Sequence, residues 1–134
     1  MNSEEDNNQN QDAGRRNIRY IAHELCDELG IVTPQGERLL VEALKNVKLA
    51  DDKQRDYGPH NILIGGELGI YYRCLDKLCR LKNLLREAND PSAVNEPISD
   101  TYRDLSNYGL IGLVLHNGDW LESYPEDGGY YDGQ

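Results

Sequence analysis

Glu67-Leu-Gly-Ile-Tyr-Tyr-Arg-Cys-Leu-Asp-Lys-Leu-Cys-Arg-Leu-Lys-Asn-Leu-Leu-Arg-Glu87 is the stretch on which the fold turns. Leu68, Tyr71, Tyr72, Leu75, Leu78, Cys79 and Leu85 recur at three and four residues, the spacing of one helix face. Asp76, Arg80, Asn83 and Glu87 share another face at spacings of four, three and four. No alternation of period two competes, so the segment predicts an amphipathic helix with the first set in the core.

Similar patterns lie on either side. Ile18, Ile21, Ala22, Leu25, Cys26 and Leu29 predict a helix from about Arg16 to Leu29, with Gly30 placed to end it. Thr33 is a natural N-cap and Pro34 suits the first helical position. Leu39, Leu40, Ala43, Leu44, Val47 and Leu49 continue that helix to about Gln54. Gly58-Pro59 breaks it, and residues 59–66 read as a loop. Beyond a loop from Asn89 to Asn95, a fourth helix runs from Glu96-Pro97 to about His116, on a stripe of Ile98, Tyr102, Leu105, Tyr108, Ile111 and Leu115. Gly109 and Gly112 near that stripe would permit close helix approach, and Asn117-Gly118 ends the helix. Four helices with short connections and no strand predict an all-α protein, a four-helix bundle.

The 134 residues suit one domain with a sizeable core. The organisation expected is a disordered polar N-terminus at 1–15, a helical domain at 16–120 and a flexible tail at 121–134. The net charge of −10 argues against a sequence-independent grip on nucleic-acid phosphate. No run of about 18 apolar residues or signal-like segment is present, so no membrane partner is expected and a soluble, cytoplasmic protein is. Cys26, Cys74 and Cys79 are an odd number without zinc spacing, and read as reduced thiols. Phe is absent and Tyr occurs nine times, so aromatic packing must rest largely on tyrosine. Trp120 reads as a packing residue at the bundle end.

The chemistry lies in three places. On the fourth helix, Glu96, Asp100 and Asp104 fall four apart, and Asn107 continues the row. Like charges at that spacing repel, and the helix dipole favours acids only in the first turn, so Asp104 is left unexplained by a plain solvated face. On the third helix, Arg73, Asp76, Lys77 and Arg80 cluster; taken alone, they are better explained as ordinary helix ion pairs, which are common and weak. If the two helices are neighbours, Asp76 could join Asp100 and Asp104 on Mg²⁺ or Mn²⁺, with Glu96 nearby, while Lys77 and Arg80 reach phosphate oxygens. The third place is Asp56-Tyr57-Gly58-Pro59-His60-Asn61, either a simple turn or a wall over a ligand in which Tyr57 stacks on a base and Asn61 bonds to it. His23, His60 and His116 are scattered, and Gly65-Gly66-Glu67-Leu68-Gly69 is not a phosphate loop of known type.

Taken together, Asp56-Tyr-Gly-Pro-x-Asn61, Gly66-Glu-Leu-Gly69, Arg73-x-x-Asp76-Lys77-x-x-Arg80-Leu81 with Asn83-Leu84, and Glu96 with Asp100-Thr-x-x-Asp104 and Tyr108 resemble the nucleotide-modification-associated domain, first type, of phages and bacteria. The resemblance covers Lys53 to Trp120, about half of the chain. That family is similar to the all-α nucleoside triphosphate pyrophosphohydrolases of the MazG and dimeric dUTPase type. The resemblance implies a Mg²⁺-dependent hydrolase converting a (d)NTP to (d)NMP and pyrophosphate in phage nucleotide metabolism, working as a homodimer or homotetramer. Asp76, Lys77 and Arg80 would be catalytic. Asp76, Glu96, Asp100 and Asp104 would hold metal, and Tyr57, Asn61, Arg73, Asn83 and Asn107 would hold substrate. The relatives carry Glu-Glu-x-x-Glu on one helix and Glu-x-x-Asp on the next, whereas this third helix offers Asp76 alone among basic neighbours. The competing expectation is a non-catalytic accessory module of a phage that binds a nucleotide or a protein.

Overall fold

The structure, a computed structural model, describes residues 17–86 and 97–123. The expected N-terminal segment at 1–15, Glu87, the 89–95 loop, Glu96 and the tail beyond residue 123 lie outside the described residues. All regular structure among the described residues is helical: α1 Ile18–Leu29, α2 Pro34–Tyr57, α3 His60–Leu63, α4 Gly66–Arg86 and α5 Ile98–His116. None of these helices is long and apolar enough to cross a membrane. The chain's contacts divide it into two compact units, Met1–Lys45 and Asn46–Gln134, with the boundary inside α2.

In the first unit, α1 is capped by Asn17, whose side-chain oxygen accepts the Arg19 N–H at 2.9 Å. Gly30 ends it at φ 71°, a conformation costly for any residue with a Cβ, and its N–H reaches the Cys26 carbonyl. Ala22 and Cys26, in the middle of the expected stripe, are buried. Thr33 does cap α2, its hydroxyl accepting the Gly36 N–H at 3.0 Å. Gly36 is required there, since a Cβ would lie 2.6 Å from Ile31 Cγ2.

His23 Nδ1 meets Glu37 Oε1 at 2.5 Å. That hydrogen bond, and then the Glu37 charge, raise the imidazole above its ordinary 6.5, with Asp27 and Glu24 adding to it and burial opposing. The protonated form is favoured in the folded state. Its contribution is therefore complete below the ordinary value and lost as pH rises through the raised one. Glu37→Gln should bring the His23 titration, followed by NMR, back toward 6.5; an unmoved midpoint would show that Glu37 does not set it.

The second unit holds the end of α2 with α3, α4 and α5. Helix α2 runs on to Tyr57, past the expected Gln54, and stops at Gly58, φ 72°, whose N–H bonds the Gln54 carbonyl at 2.8 Å. The expected 59–66 loop contains one helical turn, α3, because Ile62 has a buried place to fill and the turn delivers it there. Trp120 holds that corner, its indole N–H donating to the Pro59 carbonyl at 3.1 Å.

Helices α4 and α5 form the main pair, antiparallel: Glu67 meets His116, Ile70 approaches Gly112, and Lys77 meets Asp104. The face of α4 turned to α5 is not the expected one. Ile70 is buried, and Arg73, Cys74, Lys77, Arg80, Leu81 and Leu84 are half-buried. Leu68, Tyr71, Tyr72, Leu75, Leu78, Cys79 and Leu85, expected in the core, are all exposed. Helix α4 thus carries two apolar faces, and periodicity alone cannot say which one meets α5. Nor does close approach demand the glycines: a Cβ on Gly112 would make only ordinary contact with Ile70, and one on Gly109 would meet nothing. The expected α5 stripe holds better, with Ile98, Leu105, Tyr108, Ile111 and Leu115 half-buried and Tyr102 exposed.

Candidate functional site

Asp104 lies in the second turn of α5 on the side that faces α4, at the centre of a polar cluster in the second unit. Its Oδ1 accepts from Lys53 Nζ of α2 at 3.1 Å, and its Oδ2 meets Lys77 Nζ of α4 at 2.7 Å. The carboxylate is 18% exposed. Burial pushes its pKa up, but the hydrogen bonds from Lys77 and Lys53 and their charges outweigh this and leave it below the ordinary 3.8. The same pair holds Lys77 above 10.5, chiefly through the Asp104 hydrogen bond and against burial. Stability from Asp104 is present above the ordinary carboxylate range and lost as pH falls through the depressed value. That from Lys77 is lost only as pH rises through the raised one.

Other groups surround this triad. Arg103 donates to the buried Asn46 Oδ1 at 2.8 Å. Arg73 donates to the Asn61 carbonyl at 3.1 Å, and its guanidinium carbon sits 5.9 Å from the Tyr108 ring centroid, within cation–π range. Thr101, one turn before Asp104, and Asn107, one turn after it, are 1% and 5% exposed. The Thr101 hydroxyl, both side-chain polar atoms of Asn107 and the Asn61 Oδ1 are buried without a hydrogen-bond partner. A buried amide with neither end satisfied costs about 1–3 kcal/mol, so Asn107 is the group here that most needs a partner.

The structure therefore gathers part of the expected set. Lys77, Arg73, Asn61, Asp104 and Asn107 belong to the cluster, and Arg80 is half-buried one turn beyond Lys77 on the same side of α4. Asp76 is exposed beside Leu75, Asp100 is exposed near the start of α5, and Asn83 and Tyr57 are exposed, Tyr57 at 70%. Glu96 lies outside the described residues. Among the described residues no three Asp, Glu, His or Cys side chains come together. Asp104 is partnered by lysines rather than by other acids.

Three contributors escape the sequence reading: Lys53, Asn46 and Arg103. A signal existed for the first two. Ala43, Asn46, Ala50 and Lys53 form an unbroken three-and-four stripe on α2, and a polar residue inside it marks a buried polar contact. A separate groove of about 530 Å³ in the first unit, between Arg19, His23, Glu37, Arg38, Val41 and Glu42, contains none of the expected residues and no orphaned polar atom.

Comparison of the chain with family models, curated proteins and solved structures yields no match.

Proposed function

We propose that the cluster around Asp104 binds the phosphate chain of a nucleoside or deoxynucleoside triphosphate together with Mg²⁺ or Mn²⁺, and that the protein hydrolyses it to the monophosphate and pyrophosphate. The observation that carries this reading is the clasp of Lys53 and Lys77 on Asp104 beside the unpartnered amide of Asn107. Two ammonium groups held close together in a chain of charge −10 are suited to a polyanion. An amide with a free donor and a free acceptor suits a phosphate, sugar or base edge. The likeness of residues 53–120 to the nucleotide-modification-associated domain supports the same substrate class.

A dehydrated cage of many acids does not fit the described residues. A hydrated Mg²⁺ arriving with the phosphates does, because that ion is satisfied by one or two carboxylates plus water and phosphate oxygens. Asp104 would hold it, with Asp100 on the preceding turn. Bound there, the metal would polarise the phosphate and make water a better nucleophile. Lys53 and Lys77 would exchange part of their hold on Asp104 for phosphate oxygens and stabilise the charge that develops on them. Arg73, anchored on the Asn61 carbonyl, would fix the α3 corner, and Asn61 and Asn107 would orient the substrate.

On this reading Arg80→Ala lowers nucleotide affinity or turnover about tenfold, near 1.4 kcal/mol, while the melting temperature barely moves. Wild-type affinity and turnover in that variant would remove Arg80 from the site. A second reading, a module that binds nucleotide without cleaving it, is favoured by the absence of three gathered carboxylates among the described residues. Pyrophosphate release from a panel of triphosphates with Mg²⁺ or Mn²⁺ separates the two. Release that needs the metal supports hydrolysis; saturable binding without release supports the module. A cytoplasmic setting in phage nucleotide metabolism and a homodimeric or homotetrameric assembly belong to the same proposal.

A further inference from the structure

The groove between α1 and α2, in the first unit, takes no part in the Asp104 cluster. Its volume is about 530 Å³, and it is lined by Arg19 and His23 of α1 and by Glu37, Arg38, Val41 and Glu42 of α2. Helical spacing brings these side chains to it. Arg19 and His23 are one turn apart on α1, as are Glu37 with Val41 and Arg38 with Glu42 on α2. The contact of His23 with Glu37 ties the two helices together there.

The charges of the lining do not cancel. Glu37 is taken by His23, and Glu42 is met by Lys45 Nζ at 3.4 Å. Two guanidinium groups are left over. Among the described residues neither Arg19 nor Arg38 has an ion-pair partner. The chain holds 24 Asp and Glu against 14 Lys and Arg, so a base here finds an acid more readily than an acid finds a base. Lys48 and Arg55 both reach Asp52, and Lys53 and Lys77 both reach Asp104. Two arginines without acids on one concavity, one from each helix, are cations suited to an anion from outside the fold.

We propose that this groove binds a phosphate monoester, its head held between the Arg19 and Arg38 guanidinium groups and its organic body lying along Val41. The head follows from the donors. Each guanidinium is a planar fork of N–H groups, and one carboxylate fills one fork. Two forks call for a ligand with more oxygens and more charge, and a phosphate monoester brings three acceptor oxygens and a charge of about −1.5 to −2. The body follows from the space. A groove of about 530 Å³ falls within the roughly 300–1,000 Å³ of small-molecule sites, far more than a bare phosphate fills. Val41 is the apolar member of the lining, and the arginine stems add to it. His23 covers the Glu37 carboxylate, which would otherwise repel the head. The inference concerns the first unit alone and stands whether or not the Asp104 cluster binds nucleotide.

Titration of ribose 5-phosphate into the full-length chain tests it, with EDTA present so that a metal-dependent site at Asp104 stays silent. The His23 ring resonances report binding at the groove, and calorimetry gives the affinity. The wild type should bind saturably, ribose should not bind, and inorganic phosphate should bind at least about tenfold more weakly. Arg19→Gln and Arg38→Gln should each weaken ribose 5-phosphate at least about tenfold, with the helical circular dichroism unchanged, since both side chains are exposed. Arg86→Gln, which removes an exposed arginine outside the groove, should leave the affinity as it is. If a glutamine variant loses its helix, lysine at the same position replaces it; that variant keeps the charge, loses the fork and should still bind more weakly. Absence of saturable binding overturns the proposal. So does an equal loss in all three variants, which marks a general attraction to positive charge, or inorganic phosphate that binds as tightly as the monoester. Saturable binding that leaves the His23 resonances unmoved places the ligand elsewhere and overturns it as well.

Discussion

Asp104→Asn should fold and melt nearly as the wild type yet lose metal-dependent nucleotide binding by about a hundredfold, near 2.7 kcal/mol. The substitution keeps the shape and an acceptor oxygen for one lysine. What disappears is the charge that holds Lys53 and Lys77 together. The stability cost stays small because Lys53 is half exposed and water can replace Asp104 as its partner. The binding loss is large because Asp100, the second acid proposed for the cation, is exposed, and among the described residues no three acids gather to take over. Calorimetry with Mg²⁺ present reads the affinity, and a thermal melt reads the fold. Unchanged affinity would make Asp104 a structural anchor for two lysines and nothing more.

Asn107→Leu should move stability and binding in opposite directions. Both polar atoms of the Asn107 side chain are buried and unpartnered, so replacing the amide with an apolar group of similar size removes a desolvation penalty of about 1–3 kcal/mol. In a chain of this length a gain of that order is worth several degrees in Tm. If the amide exists to meet a ligand, the same variant loses at least about tenfold in nucleotide affinity, since the ligand's own polar group is then left bare. A variant that is less stable and binds normally would show that the amide is satisfied within the folded chain and plays no part in binding. The structural and functional roles therefore give opposite signs in two measurements on one protein.

How far the sequence could be read depended on whether the deciding contact was local. Gly30, Thr33 with Pro34, and Asn117-Gly118 act on their own turns, and the helices start and stop where those residues place them. Helix α3 is hidden in the sequence because Pro59, Gly65 and Gly66 read as a loop, while the burial of Ile62 is a matter of packing that those residues do not signal. Helix α4 shows the main limit. Its seam of Leu68, Tyr71, Leu75 and Leu78 is the stronger apolar stripe by composition, yet α5 takes the weaker one through Ile70, Lys77 and Leu84. Hydrophobic spacing reports that a face will be covered, not by what.

The site follows the same division. Asp104 stands out because its place on α5 conflicts with a simple solvated face, and Asn107 because it continues the same row; Asp104 is half-buried and Asn107 buried. Lys77 was singled out with Asp76, its neighbour in sequence, but successive residues on a helix point in different directions, and only Lys77 turns to α5. Lys53 and Arg103 reach their partners across 51 and 57 positions of the chain, a distance no local pattern encodes.

Titration of a nucleoside triphosphate analogue with a non-hydrolysable α,β-bridge, with and without Mg²⁺, tests the central claim most directly, because cleavage cannot intervene. The account predicts saturable binding that requires the metal and is lost in Asp104→Asn. Absence of binding under both conditions, or equal binding by the wild type and Asp104→Asn, would contradict it.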